Sequence, residues 1–298
     1  MTDPAALTRP RGIGARALGV WLVIHPIPSL LYVVAVGLFS ALAAAAAHHP
    51  LDGATLARVL VAMLCAQAAI GATNDFVDLP RDTLAKPDKP LVRGLIAPGA
   101  ALGLAAGGGA VVLVLLAPLG LVALILGLLV LGLGLAYDLG FKGTWVSGLL
   151  YAVYFPLIPL LAWATFGRWQ PFLPWLLPLG AALGIAMNVA NSLPDLEADR
   201  AQGVRGLPHR LGLRRGLALC WLTPPAVLAL LWLLDLTRIV PARPVSMLVA
   251  SGAALLSVGA AIALYRARPT AATLRAMFIV QAAGVVALGA GWLAAVAF

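Results

Sequence analysis

The sequence predicts an all-α integral membrane protein, a polytopic bundle of about nine transmembrane helices. Three observations carry that prediction: 62% of the 298 residues are hydrophobic, only 10% are charged, and the mean hydropathy is +1.00. Soluble domains hold roughly 45–50% apolar residues. A span needs about 20 apolar residues to cross a hydrocarbon core of roughly 30 Å, and nine stretches meet or approach that length. The first, Leu18 to Ala47, stops at His48-His49-Pro50. The second, Leu56 to Thr73, gives way to an acidic segment. Pro118 alone separates the third, Pro98 to Ala117, from the fourth, Leu119 to Tyr137. The fifth, Trp145 to Phe166, follows Lys142, and the sixth, Phe172 to Asn191, follows Arg168. Basic residues also precede Leu217 to Leu234, Val245 to Leu264 and Ala276 to Ala297. Lipid offers backbone groups no hydrogen-bond partner, so apolar runs of this length are helices rather than open strands. A single transmembrane domain over residues 1–298 is expected, with residues 1–16 as a cytoplasmic tail.

A net charge of +9 in a soluble protein would suggest nucleic acid. Here the charge follows the membrane instead. The N-terminus and the loops after the even-numbered spans hold sixteen of the twenty Lys and Arg residues; Arg58, Arg168, Arg238 and Arg243 make up the other side. The positive-inside rule then puts the N-terminus and those loops in the cytoplasm and the C-terminus outside, in what is expected to be a prokaryotic cell membrane. The first apolar run, about 30 residues long, exceeds the core of a cleavable signal peptide. Cys65 and Cys220 fall in or beside spans without metal-like spacing, so they read as core- or lipid-facing thiols.

Seven of the eleven acidic residues sit in two short segments: Asp75, Asp78, Asp82 and Asp88 after the second span, and Asp195, Glu197 and Asp199 after the sixth. Both segments face the cytoplasm in a topology derived from basic residues alone. They share a pattern, Asn74-x3-Asp78-x3-Asp82 and Asn191-x3-Asp195-x3-Asp199, each with an Arg-Gly-Leu downstream, which suggests an internal repeat of helix-bundle units. If each ladder extends its helix by two turns, positions i, i+4 and i+8 fall within an arc of about 80°, with Asp75 on the same side. Glu197 points away, and Pro80 and Pro194 are expected to kink or end the helices. Carboxylates crowded near a membrane need a compensating charge. Neighbouring Arg and Lys residues can supply it, or divalent cations can. Mg²⁺ prefers one or two carboxylates plus waters and substrate phosphates, which suits this arrangement. All three lysines, Lys86, Lys89 and Lys142, lie in the same loops, where they can meet phosphate oxygens.

These residues resemble a known family. Asn74-Asp75-x2-Asp78-x3-Asp82 is similar to the first motif, and Asp195-x3-Asp199 to the second, of the UbiA superfamily of intramembrane prenyltransferases. The basic stretch Lys86 to Gly94, the pair Tyr137 and Lys142, and the run Gly203 to Pro208 are similar to further family elements. The resemblance, which covers essentially the whole chain, implies Mg²⁺-dependent transfer of a prenyl group from a prenyl diphosphate to a small acceptor. It implies Asn74, Asp75, Asp78, Asp195 and Asp199 as catalytic residues. One Mg²⁺ would be held by Asp75, Asp78 and Asp82, and a second by Asp195 and Asp199. Lys86, Lys89, Arg93, Tyr137, Lys142, Asn191 and Arg205 would bind substrate. A quinone-precursor aromatic is the acceptor expected by resemblance; terpene cyclisation and lipid or tetrapyrrole acceptors stay open. Two departures stand out. His25-Pro26-Ile27-Pro28 replaces the family's arginine before proline, and His25 is read first as the end of a kinked helix. The Arg-Thr signature of the haem-farnesylating branch is absent. Asp138 is a base, an acceptor-orienting group or, as the commoner role, a structural carboxylate.

Two other functions compete. A CDP-alcohol phosphotransferase needs a fixed Asp-Gly register, but Asp52 to Arg58 has one residue too many and Leu79 stands where a further aspartate is required. A cation transporter usually binds near the bilayer midplane, whereas these ladders sit at the ends of spans. No nucleic-acid partner is expected, and the sequence assigns no oligomeric state.

Overall fold

The computed structural model describes residues 12–298, in which the chain forms eleven α-helices and, among the described residues, no strand. Nine helical segments are long and apolar enough to cross a membrane, one for each expected span. They are α2 (Pro26–Ala46), α3 (Gly53–Ala85), α4 (Pro98–Leu116), α5 (Leu121–Leu139), α6 (Ser147–Phe166), α7 (Leu176–Ser192), α9 (Leu207–Leu236), α10 (Pro244–Ala267) and α11 (Ala271–Val296). The short helices are α1 (Ile13–Val23) and α8 (Leu196–Ala201). Helices α2, α6, α7 and α11 form the inside of the bundle: α2 packs on α3, α6 and α11, and α7 packs on α6, α9 and α11. The core is mainly apolar, with Met63, Leu161, Met247, Leu288 and Leu293 fully buried, and it also encloses Ser40, Asn188 and Gln281. The outer helices turn large side chains outward, Leu256 at 76% exposure among them, as a lipid-solvated surface requires.

Three expectations need correction. The first span does not run unbroken from Leu18 to Ala47. It divides at His25, whose backbone is left-handed (φ 49°), into α1 and α2. The cause is local: a residue before proline is excluded from the α region, and Pro26 opens α2. Ser29 Oγ donates to the Ile24 carbonyl at 2.6 Å and satisfies a group that the break leaves free. Gly71 on α3 lets the end of α1 approach closely, since a Cβ there would lie 2.4 Å from the Val23 carbonyl oxygen. Of the basic N-terminal residues, Arg9 and Arg11 lie outside the described residues; the expected tail ends inside α1, which carries Arg16.

The second span is much longer than Leu56 to Thr73. Helix α3 has 33 residues, so it rises about 50 Å against a hydrocarbon core of about 30 Å. It starts at an Asp52 cap that accepts the Thr55 N–H at 3.0 Å, and it carries Pro80 within it without ending. The third correction concerns the second ladder. Helix α7 stops at Ser192, a 3₁₀ turn covers Leu193–Asp195, and α8 follows. Pro194 has no N–H for the α-helical bond at that point, and the chain tightens there.

Candidate active site

The first ladder projects from the end of α3 beyond the apolar run. Asp75 and Asp82 are 1% and 4% exposed, and carboxylates this deep need partners. Asp75 Oδ1 lies 2.5 Å from Lys89 Nζ and 3.0 Å from His25 Nε2. Lys142 Nζ donates to Asp78 Oδ2, and Arg81 stands 3.9 Å from the other oxygen. Asn74 Nδ2 donates to Asp138 Oδ1 at 2.7 Å, which ties the ladder to the end of α5. The lysines are held by the loop after α3. Leu91, Leu95 and Ile96 are buried, and Leu91 and Ile96 pack with Val23 and Ala72. The Lys86 N–H bonds to the Asp82 carbonyl (2.7 Å) and the Arg93 N–H to the Lys89 carbonyl (2.9 Å). Apolar anchors thus fold a basic loop back over an acidic helix end.

The second ladder meets the first across the bundle. Lys86 Nζ, from the end of α3, donates to Asp195 Oδ2 at 2.7 Å, and Arg275 on α11 reaches Asp195 Oδ1 at 3.2 Å. Burial alone would depress the Lys86 pKa, but the hydrogen bond and charge of Asp195, with Asp82 and Asp199 beyond, hold it above the ordinary lysine value. Asp199 Oδ2 lies 3.4 Å from His209 Nε2. Asn191 still belongs to α7, before the 3₁₀ turn, and its Nδ2 lies 3.4 Å from the Tyr151 hydroxyl. Glu197 is exposed, on the outer side of α8.

Toward the bundle interior the lining becomes aromatic. Tyr137, Tyr151, Tyr154 and Tyr32 follow one another at centroid separations of 5.2, 6.4 and 5.8 Å. Single amides punctuate the column. Asn188 lies between Ser147 and the Tyr137 hydroxyl, and Gln67 Nε2 donates to the Tyr154 hydroxyl at 2.7 Å. Gln67 is seven residues before Asn74 on α3, hence about 10 Å below the ladder.

The donor set suits a magnesium ion that shares its coordination with a ligand. Asp75 Oδ2 and Asp78 Oδ1 are buried and have no hydrogen-bond partner, although the opposite oxygen of each carboxylate takes a lysine. Among the described residues no three His, Cys, Asp or Glu side chains converge into a self-sufficient metal cage. One or two carboxylates per ion, completed by water and phosphate oxygens, is the arrangement Mg²⁺ favours.

Of the residues expected to bind substrate, Lys86, Lys89 and Lys142 touch ladder carboxylates, and Tyr137 opens the aromatic column. Arg93 and Arg205 are exposed and, among the described residues, form no ion pair with the ladders. His25 is both the kink and a partner of Asp75, and Asp138 is buried on Asn74. Sequence reasoning missed Arg275, Gln67, Asn188, Tyr151 and Tyr154. A lone amide inside an apolar span was the available signal for Gln67 and Asn188, because such groups are costly in lipid unless they face the interior.

Comparison with known proteins places the chain in a family. Over 167 residues the chain is 34% identical to the digeranylgeranylglyceryl phosphate synthase of Natronomonas pharaonis, a match that covers 55% of this chain and 59% of that protein. The alignment thus spans about three fifths of the relative's length. Two solved structures share the fold. A UbiA homologue from Aeropyrum pernix superposes with a TM-score of 0.67 at 22% identity, covering 90% of this chain and 96% of that one. An Archaeoglobus fulgidus homologue, solved with GPP and Mg²⁺, gives 0.65 at 17% identity over 91% and 99%. The model of the UbiA prenyltransferase family matches residues 30–295, from the start of α2 to the end of α11, and the chain therefore belongs to that family.

Proposed function

We propose that the protein is a Mg²⁺-dependent prenyltransferase that takes a prenyl diphosphate between the two ladders and passes its prenyl group to a hydroxyl-bearing acceptor in the membrane. The observation that carries this reading is the Lys86–Asp195 contact, which joins two carboxylate clusters 109 residues apart at one end of the bundle. On this reading Asp75, Asp78 and Asp82 hold one ion and Asp195 and Asp199 a second. Bound Mg²⁺ would neutralise the charge that grows on the leaving diphosphate.

The chain's own residues do the rest. Lys86, Lys89 and Lys142 exchange their carboxylate partners for diphosphate oxygens, with Asn74 orienting the site. The prenyl C1–O bond breaks, and the allylic cation left behind faces the half-buried Tyr137, Tyr151 and Tyr154, whose ring faces attract positive charge and whose apolar surroundings limit water. The acceptor oxygen bonds to C1 and gives up its proton. Asp138, buried with Oδ2 unpartnered, is our candidate to receive it.

The acceptor we favour is a glycerol-phosphate lipid, on the strength of the named archaeal relative. A quinone-precursor aromatic is the second reading, favoured by the tyrosine column. The ladder end faces the cytoplasm, as the distribution of Arg and Lys supports, and the archaeal relative supports a prokaryotic cell membrane. The test is diphosphate release by purified protein with prenyl diphosphate, acceptor and Mg²⁺. Asp78→Asn should lower it by roughly 10²–10³-fold, the scale for removing one electrostatic stabiliser. Unchanged release would point to cation transport instead.

A further inference from the structure

The segment that carries the second ladder also forms a separate basic pocket. Arg200, Val204, Arg205, His209 and Arg210 line a cavity of about 470 Å³ between α8 and the start of α9. Three of its five lining residues are arginines and none is acidic. Among the described residues none of these guanidinium groups has a carboxylate partner.

The pocket is fixed from below. His209 is 8% exposed, yet both ring nitrogens are buried without a hydrogen-bond partner. Asp199 comes within 3.4 Å of Nε2 but not in hydrogen-bonding geometry. Arg200 donates to the His209 backbone carbonyl at 2.6 Å and so ties α8 to the first turn of α9. Gly206 packs against the loop that carries Lys142: a Cβ there would lie 2.5 Å from the Lys142 carbonyl oxygen. The pocket therefore borders both the second ladder, through Asp199, and the Lys142 loop, but it is not part of either.

A buried imidazole with unmade hydrogen bonds and three arginines without counter-charges call for an anion with several acceptor oxygens. Guanidinium forks match the paired oxygens of a phosphate. The pocket lies at the polar end of the spans, the level at which a lipid headgroup meets the protein. We propose that it binds the phosphomonoester of the acceptor, holding that phosphate on Arg200, Arg205, His209 and Arg210 while the acceptor hydroxyl reaches the ladders. This rests on the prenyltransferase reading above and assigns Arg205 to the acceptor, not to the diphosphate.

The test compares wild-type full-length protein with an Arg205→Gln/Arg210→Gln variant in phosphatidylcholine nanodiscs. Geranylgeranyl diphosphate is the donor, and geranylgeranylglyceryl phosphate or its dephosphorylated alcohol is the acceptor. The proposal requires a rise of tenfold or more in KM for the phosphorylated acceptor, with KM for the donor within twofold of wild type. It also requires the wild-type preference for the phosphorylated acceptor to disappear. Inorganic phosphate should compete with the acceptor and not with the donor, and added phosphatidic acid should inhibit the wild type more than the variant. A rise in donor KM alone would give the pocket to the diphosphate, and unchanged kinetics would leave it without a ligand; either overturns the proposal. Should the wild type transfer to neither acceptor, the glycerol-phosphate reading of the acceptor fails on its own, and the prenyltransferase reading passes to aromatic acceptors. The pocket is then judged by ³¹P line broadening of glycerol 1-phosphate, which wild type must cause and the variant must not.

Discussion

The two ladders carry similar sequence patterns on different scaffolds. The first stands on α3, one helix of 33 residues, and its Asp75 is almost completely buried between Lys89 and His25. The second is divided between a 3₁₀ turn and the six-residue α8, with Asp195 and Asp199 about 30% exposed. A carboxylate fixed on a continuous helix and enclosed by cations is preorganised. One carried by a short turn can follow its ligand. On the proposed function, the first ladder would be a rigid wall of the site and the second the side that adjusts when diphosphate and ions enter.

The largest expected effect breaks the rigid side. Asp75→Ala leaves Lys89 and His25 without their buried carboxylate, and removing one partner of a buried pair costs up to about 3–5 kcal/mol. Asp195→Ala, between partly solvated partners, should cost about 1 kcal/mol or less. Thermal unfolding in detergent compares the two, and equal losses would erase the distinction. Next comes Lys86→Met, which cuts the contact that, among the described residues, joins the end of α3 to the second ladder. Transfer should fall about 100-fold, equivalent to about 2.7 kcal/mol of barrier, and Lys86→Arg should recover part of it in the same steady-state assay.

A smaller effect sharpens the comparison on the side of the second ladder. Pro194→Ala restores an N–H and lets α7 continue as an α-helix, which turns Asp195 by about 60° over three residues. The KM for prenyl diphosphate should rise by about threefold, with little change in unfolding temperature. The smallest effect lies at the opposite end of α3. Hydrogen bonds from Thr55 and from the Ala54 N–H hold the Asp52 carboxyl below its ordinary pKa. A depressed folded value means that the cap stabilises above the unfolded pKa and loses that contribution as pH falls through the folded one. Asp52→Ala should therefore lower the unfolding temperature slightly at neutral pH, converge with wild type in acid, and leave transfer unchanged.

Much of the fold was legible because lipid imposes length and apolarity on each span. The nine runs from Leu18 to Ala297 all became helices, since nothing else satisfies their backbones. Boundaries failed where polarity and proline compete. Helix α3 runs twelve residues past Thr73 because its polar end leaves the bilayer while staying helical. The break at His25 comes from Pro26, whose steric effect is local and readable, whereas the distance that brings His25 to Asp75 is tertiary. In the site, the ladders and the three lysines could be found from spacing and rarity. Arg275 could not, because an arginine beside a span looks the same in sequence whether it serves topology or pairs with Asp195. The tyrosines of α6 were hidden for a similar reason: an aromatic in an apolar span carries no mark of the face it occupies.

Convergence of the ladders on one ligand is the claim from which the rest follows, and the most direct test is anomalous diffraction from crystals grown with Mn²⁺ and a non-hydrolysable prenyl diphosphate. The account predicts one peak against Asp75, Asp78 and Asp82 and another against Asp195 and Asp199, with diphosphate density touching both. Metal at a single ladder, or diphosphate bound away from either, would contradict it.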